Sequence, residues 1–192
     1  GPRFFSDVLP SIGRLLVGVV AAILIGVVGG VLIGSVKWLR ALLEPTLEFF
    51  RAIPPPVLVP VLMLLLGITD TMKVVVIISG CVWPVLLNTI EGVRAVDPVL
   101  SDSSHTYGID GWARVRYLVL PSASPQIMAG VRQSLSLGLI LMVISEMFAS
   151  SSGLGFTIVQ FQRSFAIPEM WSGIVVLGLL GVAMSFIFQW AE

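Results

Sequence analysis

Asp97–Pro121 reads DPVLSDSSHTYGIDGWARVRYLVLP and lies within the longest polar stretch of the chain, residues 91–125. Pro98 suits a first helical position with Asp97 as N-cap, because the missing proline N–H would have no helical partner there. Helical spacing then puts Leu100, Ser104 and Tyr107 on one face. Gly108 suits a left-handed C-terminal cap. The residues from Gly111 can form a second helix that ends at Pro121. A short helix, a glycine turn and a second helix make a compact knob. By itself it reads either as a structured connector or as a docking element.

Outward from this knob the charges disappear. Windows without a charged residue run 15–36, 52–69, 74–90, 133–145 and 170–191. A helix needs about 20 residues to cross a hydrocarbon core of about 30 Å. The first and last windows qualify outright, and the second and third come close, with flanking charges able to reach the interface. The fourth becomes an ordinary span if it runs 126–147, with Arg132 near one membrane face and Glu146 near the other. The expected fold is therefore an all-α integral membrane protein with five transmembrane helices in one domain, residues 1–192. Composition agrees. Of 192 residues 56% are hydrophobic and 11% charged, against about 25% charged in soluble domains. The mean hydropathy is +1.01. A soluble enzyme is excluded.

The zero net charge argues against nucleic acid as a partner. A single cysteine, Cys81, allows no disulfide within the chain and reads as a small apolar helix residue. His105 has no second histidine or cysteine at ligand spacing, so no metal site is expected. With five spans, Arg3, Arg14, Lys73 and Arg163 fall on one side. Lys37, Arg40, Arg51, Arg94, Arg114, Arg116 and Arg132 fall on the other, which should be cytoplasmic and carries the knob. That puts Gly1 outside and Glu192 inside, and the abrupt start suggests either a missing upstream segment or a removed tag.

Small residues recur every four positions in the first span, at Gly18, Ala22, Gly26, Gly30 and Gly34. They let another backbone approach closely, either inside the chain or at a subunit interface. The second span opens with Pro54-Pro55-Pro56 and contains Pro60, which should kink it. Such a helix is either a structural bend or a wall of a pathway. Trp83-Pro84 predicts a similar break in the third span. Glu146, the one acid placed within a span, is expected at a helix end near the interface. Motifs such as HExxH, GxSxG and GxxxxGK[ST] are missing, so any ATP chemistry would belong to another chain.

The spacing of Asp102-Ser103-Ser104, Gly108, Leu118 and Leu120-Pro121 resembles the EAA signature of ABC importer permeases. Other pieces follow in the same order. Ser11-Ile12-Gly13-Arg14-Leu15-Leu16-Val17-Gly18 and Arg51-Ala52-Ile53-Pro54-Pro55 resemble the sulfonate/taurine/nitrate branch of that family. So do Gly67-Ile68, Asn88-Thr89-Ile90-Glu91-Gly92-Val93, Gly130-Val131-Arg132, Glu146-Met147 and Gly153-Leu154-Gly155.

The resemblance implies a type I ABC importer permease fold with a cytosolic coupling helix and about six spans in the family, so that one N-terminal span would be absent from this chain. Leu100, Asp102, Ser103, Ser104, His105, Tyr107, Gly108, Leu120 and Pro121 would then form the contact with the ATPase. Small side chains at Ser103 and Ser104 would let that helix lie close to its partner. Pro54, Pro55, Pro60 and Glu146 are the gate or pathway candidates. Implied partners are a second permease copy in a homodimer, two ATP-binding subunits holding ATP and Mg, and an extracytoplasmic substrate-binding protein. The setting would be a bacterial plasma membrane and the cargo a small anion. Two departures stand out: Asp-Ser-Ser replaces Glu-Ala-Ala, and His105 stands where arginine is frequent. The rivals are an ion-coupled secondary transporter and a structural membrane subunit. The first usually needs ionisable groups at mid-membrane, which no span centre carries. The second gives no reason for the knob.

Overall fold

The computed structural model describes residues 2–148 and 150–191, with side-chain surroundings for residues 7–148 and 150–190. Gly1 and Glu192, expected on opposite faces, and the side chain of Arg3 lie outside the described residues. All regular structure among the described residues is helical. The order is α1 (Pro2–Ser35), α2 (Lys37–Arg51), α3 (Pro55–Leu66), α4 (Asp70–Arg94) and α5 (Pro98–Thr106). Then come α6 (Gly111–Arg114), a π-helical turn (Val115–Val119), α7 (Leu120–Phe148), α8 (Leu154–Arg163) and α9 (Ile167–Ala191).

Among the described residues four stretches are long and apolar enough to cross a membrane: Asp7–Ser35, Asp70–Arg94, Gly111–Phe148 and Ile167–Trp190. A fifth exists only if Lys37–Arg51 and Pro55–Leu66 are counted together. The expected span 52–69 is thus different from expectation. Helix α3 has 12 residues, about 18 Å at 1.5 Å each, and Gly67 at φ 69° ends it. The break falls at Ala52–Pro54, and α3 runs on through Pro60. Likewise α4 continues through Pro84 without the expected break.

The expected helix end at Pro121 is also corrected. Proline lacks an N–H and its ring crowds the carbonyl four residues back. Here the π turn over Val115–Val119 directly precedes Leu120-Pro121, with the Leu120 N–H bonded to the Val115 carbonyl. A widened turn relieves that crowding and leaves one bond fewer to lose. The helix therefore runs from Gly111 to Phe148, 38 residues, longer than a bilayer core requires.

The chain forms two compact units. One comprises Gly1–Ala22, Ile53–Cys81 and Ser134–Glu192. Inside it a Cβ built on Gly18 would lie 2.6 Å from Ile77 Cγ2, and one on Gly138 would lie 2.8 Å from Val19 Cγ2. Cys81 and Ser134 staple α4 to α7: Cys81 Sγ donates to the Ser134 carbonyl at 3.2 Å, and Ser134 Oγ to the Cys81 carbonyl at 2.5 Å. Ala22, Leu15, Ile77 and Met142 are fully buried.

The other unit comprises Ile23–Ala52 and Val82–Gln133. There the stripe continues against α4. Built Cβ atoms on Gly26, Gly30 and Gly34 would lie 2.8, 2.5 and 2.9 Å from Val85, Thr89 and Val93. The stripe thus serves contact inside the chain, one of its two readings. The opposite face of α4 packs on α7, where a Cβ built on Gly130 would lie 2.7 Å from the Pro84 carbonyl oxygen and one on Gly92 would lie 3.0 Å from Ala123 Cβ. Lipid offers no hydrophobic drive between helices, so close backbone approach must hold them. Gly30→Val should therefore overpack the α1–α4 contact and lower unfolding stability by about 1–3 kcal/mol. Gly178, with nothing within 4 Å, is the control position for alanine. Equal unfolding midpoints for G30V and wild type in detergent would contradict the packing.

Candidate functional site

The knob is built by its own local chemistry. The Asp97 carboxylate accepts from the Val99 N–H at 2.7 Å and so caps α5, with Pro98 in the first turn. At the other end Gly108 has φ 69°. Its N–H donates to the His105 carbonyl at 3.0 Å, and the Ile109 N–H donates to the Ser104 carbonyl at 2.8 Å. Both bonds satisfy carbonyls that α5 would otherwise leave without partners. Arg114 reaches back from α6 to donate to Ser101 Oγ at 2.7 Å, and His105 Nδ1 lies 2.6 Å from Asp110 Oδ1.

Side chains divide sharply between inside and outside. Val99, Leu100, Tyr107 and Trp112 are half to four-fifths exposed, and Asp102, Ser103 and His105 are exposed as well. Ser104 is buried, its hydroxyl donating to the Ser101 carbonyl at 2.7 Å. The expected shared face of Leu100, Ser104 and Tyr107 therefore splits, and Ser104 is small because it packs inside the knob. Leu120 is half-buried and Pro121 exposed.

The residues that sequence reasoning missed stand in the first unit. Glu146 lies two residues before the end of α7, yet it is fully buried. The helix-end position is as expected, and the burial by surrounding protein is what the sequence did not show. Its carboxylate accepts from Ser11 Oγ at 2.7 Å, from Arg14 Nη1 at 2.8 Å and from the Gly155 N–H at 3.0 Å. Ser11 in turn accepts from the Leu154 N–H at 3.0 Å. Arg14, 7% exposed, also contacts Asp70 Oδ1 through Nε at 2.9 Å and Nη2 at 2.8 Å. It donates to the Ser152 carbonyl and hydroxyl, each at 3.2 Å. Lys73 Nζ lies 3.2 Å from Asp70 Oδ1. Two cations thus balance two carboxylates, and α1, α4, α7, the loop at 150–153 and the start of α8 are clasped together.

Gly153 explains how the loop closes over the carboxylate. Its φ is 121°, a backbone region glycine alone adopts readily, and a built Cβ would run into the Glu146 carboxyl group. Every Glu146 oxygen is already engaged by a protein donor. The arrangement is built to hold a loop in place. Of the proline candidates, Pro54 is exposed and N-caps α3, Pro55 is half-buried against Gly80, and Pro60 is exposed.

Several membrane-crossing helices and a capped polar helix between two of them define a multi-pass membrane protein. The chain belongs to the family of binding-protein-dependent transport system inner membrane components, whose profile matches residues 3–192. It is 31% identical over 190 residues to the "Probable ABC transporter permease protein" of Brucella melitensis, covering 99% of this chain and 77% of that one. It is 28% identical over 191 residues to the taurine transport system permease protein TauC of Escherichia coli, covering 96% and 70%. Among solved structures, a chain of the MetNI methionine ABC transporter, described as inward facing, superposes with a TM-score of 0.79. The match covers 95% of this chain and 91% of that chain at 19% identity, so the likeness is one of fold. The chain is an ABC transporter permease, a component of membrane transport.

Proposed function

We infer that this permease lines the translocation pathway of an ATP-driven importer and takes its energy from a separate ATPase that docks on α5. The observation that carries this reading is the knob. A nine-residue helix, capped at both ends and bolted to α6, presents Val99, Leu100, Asp102, Ser103, His105 and Tyr107 outward in a chain of this family. Rigid caps suit a part that must pass on motion without melting. ATPase closure would move the knob as a body and switch the pathway between inward- and outward-facing states, each favoured by the ligand that binds it better. The arginine–carboxylate clasp would hold the far loop of the pathway in register.

On this reading the knob faces the cytoplasm of a bacterial plasma membrane, and ATP and Mg sit on the two partner subunits. A second copy of the chain completes the pathway. Helix α9 leaves Val175, Leu179, Val182 and Phe186 exposed, a face that lipid or that copy would cover. An external binding protein delivers the solute. Resemblance to the taurine permease favours a small anion such as a sulfonate, taurine or nitrate. Reconstituted with its ATPase and binding protein, the permease should import such an anion only with ATP, with inhibition by vanadate and persistence under ionophores. Uptake abolished by ionophores but indifferent to vanadate would instead favour an ion-coupled carrier.

A further inference from the structure

Within the second unit, Gly34, Ser35, Lys37, Arg40, Val93, Arg94, Val96, Arg114 and Val119 line a cleft of about 290 Å³. Four of these nine residues are cations, and none is an acid. Arg94 is partly neutralised by Glu91, whose Oε1 lies 2.7 Å from its Nη1. Lys37 and Arg40 make no side-chain ion pair among the described residues. Arg114 spends one Nη on Ser101, while its buried Nε has no hydrogen-bond partner.

The backbone adds to the field. Lys37 opens the 15-residue helix α2, and Val36 at its N-cap supplies no side-chain acceptor. The first N–H groups of α2 are thus without capping partners at the wall of the cleft, where the helix dipole is positive. The cleft also has a defined depth. It lies where α1 ends at Ser35 and α4 ends at Arg94, both ends of stretches able to cross a membrane.

The geometry points to a binding site for a phosphate group in this cleft, carried either by the head group of an anionic phospholipid or by a free phosphate ion. Lys37, Arg40 and Arg114 supply the charge, with the uncapped first N–H groups of α2 as directional donors. A lipid would reach it from the adjacent bilayer boundary, and a free ion from the aqueous side. This site is independent of the importer reading, since it needs neither ATPase nor solute.

The test uses the full chain purified in detergent, with native mass spectrometry counting bound phosphatidylglycerol and phosphatidylcholine. Wild type should retain phosphatidylglycerol in preference, and the K37Q/R40Q double variant should weaken that retention about 25-fold, at roughly tenfold per 1.4 kcal/mol and about 1 kcal/mol per basic residue. R163Q, in the other unit, should match wild type. Inorganic phosphate added alone distinguishes the source. If it protects wild type against thermal unfolding, and K37Q/R40Q loses that protection while phosphatidylglycerol shows no preference, the ligand is free phosphate. If only phosphatidylglycerol responds, the ligand is the lipid head group. Equal retention of both lipids with no phosphate effect would overturn the proposal. So would a K37Q/R40Q variant that folds normally and binds like wild type.

Discussion

Arg14→Met is expected to be among the most damaging single substitutions, lowering stability by about 3–5 kcal/mol because it leaves the buried Glu146 carboxylate without its counter-charge. For a chain of this size that corresponds to about 6–20 °C in the unfolding midpoint. The reasoning rests on Glu146 being 0% exposed, so water cannot take over from the guanidinium. Ser11 and the Gly155 N–H would remain, but two neutral donors do not balance a buried charge. Arg14 also bridges to Asp70 at 2.8 Å and to Ser152, so the loop would lose its anchor at the same time. The double variant R14M/E146L separates these terms. Removing both charges takes away the unpaired ion, and the double variant should be more stable than either single variant, although still below wild type through the freed backbone donors. Strict additivity of the two single losses would show that the pair does not interact as its geometry says. An unchanged midpoint for R14M would remove the clasp altogether.

The parts of this structure legible in the sequence are those fixed by near neighbours or by length. Asp97, Pro98 and Gly108 were readable because each acts within one turn of itself. The first and last spans were readable because an apolar run of 22 residues has few other uses. The stripe from Gly18 to Gly34 announced close packing, but nothing local says which helix fills it. Pro121 misled for a physical reason. Proline stops an α-helix, yet a π turn beside it changes the bonds it would break, and no residue pattern marks that turn.

The burial and the partners of Glu146 were the larger miss, and they show where local reading ends. Its partners Ser11 and Arg14 stand 135 and 132 positions away in the chain. Burial of a charge depends on what surrounds it, and here that is supplied by three helices and a loop. A usable signal did exist. Charge counting put Arg14 on the outer side, and the span boundaries put Glu146 at the outer end of its helix. Two opposite charges at one depth in a low-dielectric layer should be suspected of pairing, since each alone is expensive there. Ser104 went astray differently: helical spacing groups residues by face but does not say which face looks inward.

If an ATPase docks on α5 as proposed, Gly108→Val should separate the permease from it. At φ 69° a side chain meets its own backbone at a cost of about 1–2 kcal/mol, with β-branched residues the worst placed. The cap has another conformation to fall into, because Ile109 and Gly108 hold the last carbonyls of α5 only while that φ persists. A shift of that size lowers the population of the capped knob by about 5–30-fold. Space is no obstacle, as nothing lies within 4 Å of a Cβ at this position, so the effect would be conformational and confined to the knob. Expected are a normal unfolding midpoint, several-fold less ATPase subunit recovered on purification, and transport lost in proportion. Gly108→Asn provides the check, since asparagine tolerates the left-handed region and should restore most of the association. If G108V binds its ATPase and transports like wild type, the docking surface lies elsewhere on the chain. If G108V and G108N fail equally, the loss comes from a side chain of any kind at that point of contact, and the rigid cap is not what carries the motion.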